Sequence, residues 1–223
     1  MRFVEYPDRD MMMIDVANVL AGEINATLMH EDRCTLAVPG GTTPGPVFQS
    51  LCAAKLDWSR VDVLLTDERW VDEGDPRSNA RLLRQTLLTN RAAAARFHPF
   101  YRAGQSPDEA APDLGDMVTR LLPVSVLLLG MGADMHTASL FPGADGLGAA
   151  LASDAPPVLP ITAPGSGEAR VTLTAPVLDG AMSTHVLVTG AEKHAALERA
   201  AQLTPAEAPI RSVWGRATVH WAA

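Results

Sequence analysis

Cysteine is nearly absent from this 223-residue chain, which has only Cys34 and Cys52. Their spacing matches no metal-binding or redox motif. Cys34 opens an apolar stretch and Cys52 falls in a predicted helix, so we interpret both as small buried hydrophobic residues. The cysteines therefore give no support for a metal centre or a thiol-based redox function.

Basic residues are also fewer than acidic ones. Lys and Arg number 18 against 26 Asp and Glu, and the net charge is −8. Nucleic acids and anionic membrane surfaces both require a basic face on the protein, so this balance argues against either partner. A small anionic ligand is still compatible with it, because such a ligand needs only backbone N–H groups and a few local Arg or Lys side chains.

Long apolar runs are missing too. The sequence has no run of about 18 apolar residues, so no segment is predicted to span a membrane. The N-terminal stretch MRFVEYPDRDMMMIDV has acidic residues where a signal peptide needs an apolar segment, and we therefore expect a cytoplasmic protein. Because 47% of the residues are hydrophobic, the chain can bury a sizeable core, and we expect residues 1–223 to form a single domain.

What the sequence does contain is a regular alternation of predicted strands and helices. Asp8 is a predicted N-cap for a helix that runs to about Met29. Short stretches rich in β-branched residues and leucine predict strands: CTLAVP (34–39), VDVLLTD (61–67), VSVLLLG (124–130), RVTLT (170–174) and HVLVTG (185–190). Helical segments are predicted between them, at about 45–54, 78–89, 108–121, 175–181 and 191–203.

Several of these strands are apolar on both faces, which is typical of a parallel sheet covered by helices. The predicted fold class is therefore α/β, a Rossmann-like three-layer sandwich in which a mostly parallel sheet has helices on both faces. Two Pro-containing stretches, 103–113 and 152–168, are predicted to be surface loops on this one domain.

The loops that follow the predicted strands carry the chemistry. Ligands of open α/β sheets bind outside the carboxyl ends of the strands. The segments at those ends read GGTTPG, DERW, GMGADMHT and GAEKH, and each contains groups that bind anions or move protons. The loops at the opposite strand ends contain nothing comparable, so we expect one site at the carboxyl edge.

The first of these loops, Gly40-Gly41-Thr42-Thr43-Pro44, has the composition of an anion site. Glycines allow the backbone to turn tightly and to approach a ligand closely. Thr42 or Thr43 is predicted to be the N-cap of the next helix, with Pro44 in its first turn. The Gly-Lys-Ser/Thr ending of a Walker loop is absent, and the alternative is a tight turn that binds nothing.

The second loop places Asp67, Glu68 and Arg69 directly after a buried strand, with Ser78 and Asn79 downstream. Arg69 is a candidate clamp for a phosphate or carboxylate. Asp67 is a candidate to orient another side chain or to accept a hydrogen bond from a substrate hydroxyl. The alternative is an ion pair among these residues on the rim of the sheet.

The third loop contains His136, the one histidine that stands at a strand end of this kind. An imidazole is suited to collecting a proton near neutral pH, so His136 is the candidate general base. A dinucleotide-binding fingerprint fails here, because Met135 occupies the position of its last glycine. We interpret the remaining histidines as structural: His30, His98, His185, His194 and His220. Lys193 and, less strongly, Arg170 are further candidate anion contacts.

Taken together, GGTTP, TDERW with a downstream SN, GMGADMHTASLFPG, RVTLT and GAEK resemble the motifs of 6-phosphogluconolactonases, within the glucosamine-6-phosphate deaminase-like superfamily. The resemblance covers nearly the whole chain, most strongly about residues 35–200. It implies hydrolysis of 6-phospho-D-glucono-1,5-lactone to 6-phosphogluconate in the oxidative pentose phosphate pathway, without a metal or an organic cofactor. The implied partner is this small sugar-phosphate lactone, and we expect a monomer or a small homo-oligomer.

The resemblance also implies roles for residues of this chain. His136 corresponds to the general base, with Asp67 and Arg69 as catalytic neighbours. The residues expected to bind the substrate are Gly40, Gly41, Thr42, Thr43, Asn79, Gly132, Arg170 and Lys193. Ser139 is expected only to cap or line its loop. One departure is visible: the family usually has Asp-Gly-His where this chain has Asp134-Met135-His136, and a non-glycine residue with positive φ costs about 1–2 kcal/mol.

Two other functions fit parts of the pattern. A hexosamine-phosphate isomerase or deaminase would have a carboxylate after the loop histidine, whereas this chain has the segment 139–143, SLFPG. A non-catalytic sugar-phosphate sensor of the repressor type would be expected to carry a basic DNA-binding segment. We therefore predict a hydrolase that acts on a carboxylic ester.

Overall fold

The computed structural model describes all residues 1–223. Its strands are β1 (Arg2–Glu5), β2 (Cys34–Val38), β3 (Val61–Leu65), β4 (Asp67–Arg69), β5 (Arg96–His98), β6 (Val126–Gly130), β7 (Val158–Thr162), β8 (Ala169–Leu173), β9 (Ser183–Thr189) and β10 (Thr218–Ala222). Its helices are α1 (Arg9–His30), α2 (Gly45–Leu51), α3 (Asn79–Thr86), α4 (Pro107–Thr119), α5 (Leu147–Leu151), α6 (Ala175–Asp179) and α7 (Ala191–Ala200).

Seven strands form one sheet in the order β1-β10-β9-β6-β2-β3-β5, and every neighbouring pair is parallel. The predicted α/β class with a mostly parallel sheet is confirmed. Strands β2 and β3 are buried along their whole length, as expected for strands covered on both faces. The first helix is also as predicted: the Asp8 side chain accepts a hydrogen bond from the Met11 N–H over 2.7 Å and caps α1.

The order of the strands reverses between β2 and β6. Chain connections run outward from β2 to β3 and β5 on one side, and from β6 to β9 and β10 on the other. Such a switch point leaves a crevice at the carboxyl ends of the two central strands, where ligands of open α/β sheets bind. The loop after β2 contains Gly40 and Gly41, and the loop after β6 contains His136.

A second, three-stranded antiparallel sheet has the order β4-β8-β7. The prediction that RVTLT belongs with the parallel strands was therefore wrong, as was the description of DERW and of 152–168 as loops.

The small sheet is attached directly to the ends of β2 and β3. The Leu173 N–H donates to the Thr66 carbonyl, and the Thr66 N–H donates to the Val38 carbonyl. Strand β4 starts only one residue after β3 ends. Apolar periodicity identifies a strand but not the strand that it pairs with, which is why β8 was assigned to the wrong sheet.

The pattern also missed β1, β5 and β10, which lie at or near the edges of the large sheet. Strands β1 and β5 bury little, and β10 is short and includes a histidine and a threonine, so the apolar signal of all three is weak. Both cysteines are buried, as interpreted from the sequence. No helix combines the length and the apolar character needed to cross a membrane.

Candidate active site

A cavity of about 200 Å³ lies at the carboxyl edge of the large sheet, at the switch point between β2 and β6. The predicted site residues that line it are Gly40, Gly41, Thr43, Asp67, Arg69, Asn79, Gly132, His136, Arg170 and Lys193. The structure therefore brings together residues from the loops after β2 and β6, from strands β4 and β8, and from the first turns of α3 and α7. Thr42 is the exception: it is exposed and does not line the cavity.

His136 stands at this cavity with about one third of its side chain exposed. Its Nδ1 lies 2.5 Å from Asp134 Oδ1, and the same oxygen accepts from the His136 N–H over 3.2 Å. Because an ionised carboxylate can only accept, the bond places the imidazole proton on Nδ1 and leaves Nε2 as the acceptor. No protein group bonds to Nε2, so it is free to take a proton. Asp134 was not among the predicted site residues, although its spacing of two residues from His136 was a usable signal.

Gly132 is required by the position of the histidine ring. A Cβ placed on Gly132 would lie 2.2 Å from His136 Nδ1 and 2.4 Å from Asp134 Oδ1. The Gly132 N–H also donates to the His136 carbonyl over 3.0 Å. Because glycine has no Cβ, the backbone at residue 132 can lie in contact with the His136 ring and the Asp134 carboxylate.

The loop that carries His136 is strained on both sides of it. Met135 has φ 67° and Ala138 has φ 49°, so two residues with a Cβ occupy the left-handed region. Each costs about 1–2 kcal/mol relative to an ordinary backbone conformation. The Met135 carbonyl accepts from the Ile210 N–H over 3.1 Å, which ties the loop to the C-terminal part of the chain. Methionine thus retains the left-handed conformation that a glycine would adopt at lower cost.

Asp67 lines the cavity and is 6% exposed. Its Oδ2 accepts a hydrogen bond from Ser139 Oγ over 2.6 Å and lies 3.7 Å from Arg170 Nη1. Such a buried carboxylate needs these partners, because an uncompensated buried charge is costly. Ser139 was expected only to cap or line its own loop, so this contact was missed.

The alternative that Asp67, Glu68 and Arg69 neutralise one another is wrong, since Arg69 forms no ion pair with either carboxylate. Glu68 is fully buried and accepts from the N–H groups of Arg69, Asn79 and Ala80, at 2.7–2.9 Å. Burial raises the pKa of Glu68, against the lowering effect of these backbone hydrogen bonds. Glu68 therefore holds the start of α3 in place, and Arg69 forms no ion pair, although its Nη1 donates to the Arg77 carbonyl.

Arg69 and Arg170 are directly opposite each other on the antiparallel strands β4 and β8. Both line the cavity, and the buried Nε of each has no hydrogen-bond partner. Arg170 already has a carboxylate partner, with 2.6 Å between its Nη2 and Glu168 Oε2, so the donors left for an anion are the two unpartnered Nε groups. Lys193, near the start of α7, adds a third cationic side chain to the same cavity.

Asn79 fixes the glycine loop against β4. Its Nδ2 donates to the Asp67 carbonyl over 2.9 Å, and its Oδ1 is buried without a partner. A Cβ on Gly40 would lie 1.9 Å from that Oδ1, so only glycine fits there. Gly41 has φ 85°, which also favours glycine.

The predicted N-cap of α2 was wrong. The cap residue is Pro44, and no side chain caps the helix. The Gly45 N–H instead bonds to the Thr42 carbonyl, so Thr42 and Thr43 lie in a turn that precedes the helix. Thr43 faces the cavity from this turn and Thr42 faces away.

None of the histidines interpreted as structural lines the cavity. His98 Nε2 lies 2.7 Å from Asp62, and His30 is exposed. His185 and His220 are buried side by side, with 2.9 Å between His185 Nδ1 and His220 Nε2.

The two buried histidines belong to a longer chain of hydrogen bonds that crosses from α1 to the sheet. His185 Nε2 lies 2.8 Å from Glu23 Oε2, and His220 Nδ1 lies 2.9 Å from the Tyr6 hydroxyl. Burial, together with the charge of His185, lowers the pKa of His220 to about 4. Burial raises the pKa of Glu23, but its hydrogen bonds with His185 and Ser183 and the charges of the two histidines together outweigh this, and the pKa is lowered.

Comparison with known proteins gives one consistent family. Residues 7–221 match the family model described as glucosamine-6-phosphate isomerases/6-phosphogluconolactonase. A 6-phosphogluconolactonase of Mesorhizobium japonicum is 40% identical over 227 residues, covering 97% of this chain and 93% of the relative. One of Pseudomonas aeruginosa is 38% identical over 210 residues, covering 92% of this chain and 88% of the relative.

Solved structures give the same result. A crystal structure of a 6-phosphogluconolactonase from Shewanella baltica superposes with a TM-score of 0.96 at 28% identity, covering 100% of this chain and 98% of that one. A monomeric glucosamine-6-phosphate deaminase shares the fold, with a TM-score of 0.85 at 14% identity and coverage of 100% and 97%. The resemblance inferred from the motifs is confirmed: the chain belongs to the enzyme family of glucosamine-6-phosphate isomerases and 6-phosphogluconolactonases.

Proposed function

We propose that this protein hydrolyses 6-phospho-D-glucono-1,5-lactone to 6-phospho-D-gluconate, as a carboxylic ester hydrolase of the oxidative pentose phosphate pathway. One observation carries the proposal. His136 presents an unpartnered Nε2 to a cavity that also contains Arg69, Arg170 and Lys193. The proton acceptor suits attack of water on an uncharged lactone carbonyl. The cationic side chains suit the phosphate of the same substrate. The names of the curated relatives support the same reaction.

His136 acts as the general base. Its Nε2 takes a proton from a water molecule as the water oxygen attacks the lactone carbonyl carbon, and Asp134 stabilises the imidazolium that forms. The bond from the carbonyl carbon to the ring oxygen then breaks, and the imidazolium returns the proton to that oxygen. A positioned base of this kind contributes about 10²–10⁴-fold.

The phosphate is held at the Arg69–Arg170 end of the cavity. These two guanidinium groups come from facing strands, and each has an unpartnered Nε–H to donate to a phosphate oxygen. Lys193 approaches from α7, and the Gly40–Gly41 backbone and the Thr43 hydroxyl line the adjoining wall. Anchoring the phosphate lets remote binding energy orient the lactone against His136.

The reaction needs no covalent nucleophile, because a lactone is an activated ester. We propose that it also proceeds without a metal or organic cofactor. The accompanying predictions are a single catalytic domain over residues 1–223, a monomer or small homo-oligomer, and a cytoplasmic location. The single domain is supported by one continuous cluster of buried hydrophobic residues from Met12 to Ala222.

The alternative reaction of the family, on a hexosamine phosphate, lacks a supporting residue here. Asp67 gives the cavity one carboxylate, but that reaction also calls for a second carboxylate in the segment that follows the loop histidine. The segment after His136 supplies Ser139, Leu140 and Phe141, and no acid. Asp134 bonds to the histidine and does not line the cavity.

The test follows the disappearance of freshly generated 6-phosphogluconolactone at slightly acidic pH, where the uncatalysed reaction is slow. Wild type and His136→Ala are assayed side by side, and ammonia release from glucosamine 6-phosphate is measured with both. We expect rapid lactone loss with wild type, near-background loss with the variant and no ammonia.

Three results would contradict parts of the proposal. No acceleration by wild type would remove the lactonase activity and leave a sugar-phosphate sensor as the remaining candidate. Equal rates for wild type and His136→Ala would keep the lactonase but remove His136 as the base. Ammonia release would assign the isomerase reaction instead.

A further inference from the structure

Ser139 lies on the same loop as His136, yet its side chain is directed away from the cavity. It is fully buried and does not line the cavity, so its hydroxyl is out of reach of a substrate. Instead, its Oγ donates to Asp67 Oδ2 over 2.6 Å. This bond joins the loop after β6 to the strand after β3.

The backbone of Ser139 is anchored at the same place. Its N–H donates to Thr172 Oγ1 over 3.2 Å, and Thr172 is the residue of β8 that faces Asp67 of β4. Thr172 is also fully buried. Both hydrogen-bond donors of Ser139 are therefore bonded to one register position of the small sheet, which aligns the His136 loop with β4.

The contact leaves the two oxygens of Asp67 in different situations. Oδ2 accepts from Ser139 and lies 3.7 Å from Arg170. Oδ1 has only a long contact of 3.4 Å with the Thr66 hydroxyl. With Oδ2 occupied, Oδ1 is the oxygen that remains able to accept a hydrogen bond from a ligand in the cavity. Without the Ser139 hydroxyl, the buried carboxylate would be drawn towards Arg170 alone.

We infer that Ser139 is a positioning residue that acts through Asp67. It fixes the rotation of the Asp67 carboxylate so that Oδ1 is presented to a substrate hydroxyl, and it holds this acceptor in register with His136. The inference rests on the proposed lactone hydrolysis.

The hydroxyl is tested with two variants of the same shape, Ser139→Thr and Ser139→Val. Both add a methyl group at a buried position, so any overpacking is common to both, and only the threonine keeps the donor. We expect kcat/KM for the lactone to be about 10- to 100-fold lower in the valine variant than in the threonine variant, the range for a lost hydrogen bond to a charged group.

A double-mutant cycle tests whether Ser139 acts through Asp67. Asp67→Asn and Asp67→Asn/Ser139→Ala are compared with Ser139→Ala and wild type. If Ser139 only positions the carboxylate, its removal causes little further loss of kcat/KM once the carboxylate is gone. A merely structural role would make the two losses multiply, and that result would overturn the inference.

Thr174→Val is the matched control for loss of a buried hydroxyl. Thr174 is fully buried, and its Oγ1 donates to the Pro156 carbonyl over 2.8 Å, outside the cavity. We expect it to lower the melting temperature while leaving kcat/KM unchanged. Equal activity of Ser139→Thr and Ser139→Val would also overturn the inference, whereas an inactive wild type would overturn the proposed function itself.

Discussion

Two histidine–carboxylate clusters in this molecule use the same chemical groups under opposite conditions. His136 and Asp134 lie on a loop, at the edge of a cavity, with two left-handed residues nearby. His185 and Glu23 form the other pair, with His185 on strand β9 and only 5% of its side chain exposed. One imidazole can exchange a proton with a ligand, whereas the other is enclosed by protein groups.

The two clusters differ in backbone setting and not in residue type, and we propose that this difference separates a reactive histidine from a structural one. The strands around His185 have regular parallel pairing with β6 and β10. The His136 loop has no such ladder, and its strain persists because the attached sheets are stable enough to hold it. We expect substitutions in the two clusters to affect different measurements.

The largest effect on activity is expected for His136→Asn. We predict a loss of about 10²–10⁴-fold in kcat, because the proton acceptor is removed. Its free energy of unfolding should change by less than about 1 kcal/mol, since the side chain is partly exposed. Lactone turnover and chemical denaturation measure the two quantities. His185→Asn should give the reverse pattern, and a comparable loss of turnover in both variants would remove the distinction between the clusters.

The next effect concerns pH and His220, whose pKa is lowered to about 4 by burial and by the charge of His185. In the unfolded chain a histidine titrates near 6.5, so between pH 6.5 and 4 the unfolded state binds a proton that the folded state does not. The free energy of unfolding should therefore fall as the pH is lowered through this window, by roughly 2–4 kcal/mol for this residue.

Denaturation curves of wild type and His220→Gln between pH 7 and pH 4 measure this contribution. The variant should show a shallower decline, because it lacks the titrating group. His30→Gln is the matched control, since His30 is exposed, and its curve should run parallel to that of wild type. A parallel curve for His220→Gln as well would contradict the prediction.

A smaller loss of activity is expected for Gly132→Ala. The added Cβ would lie 2.2 Å from His136 Nδ1, so the ring must move from its position beside Asp134. We predict a decrease in kcat/KM of about 10- to 100-fold, as for other small displacements of a catalytic group. Gly148→Ala is the control, because a Cβ there meets nothing within 4 Å. Unchanged kcat/KM in Gly132→Ala would show that the ring position is not critical.

The smallest effect is expected for Met135→Gly. Glycine adopts φ 67° without strain, which would gain about 1–2 kcal/mol, but it loses the methionine side-chain contacts with the core and increases the entropy of the unfolded chain. These contributions oppose each other, so the free energy of unfolding should change by less than about 1 kcal/mol, and kcat/KM should be nearly unchanged. A large gain in stability would show that the strain is not offset by packing.

Local signals allowed much of this molecule to be predicted from its sequence. The cap at Asp8, the buried strands β2, β3 and β6, and the glycine turns all depend on residues close together in the chain. The carboxyl-edge rule then placed His136, Asp67 and Arg69 at one end of the sheet without knowledge of the strand order. Edge strands such as β1 and β5 were not predicted, because they bury too little apolar surface to give a periodic signal.

The sequence by itself determined which groups are available for chemistry and at which strand ends they stand. Only the tertiary structure decided that β2 and β6 are neighbours at the switch point, that Arg69 faces Arg170, and that Ser139 bonds to Asp67. Each of these depends on strand order or register, which are set by contacts between segments far apart in the chain. Periodicity along one segment carries no information about which distant segment will pair with it, so only the folded structure contains these relations.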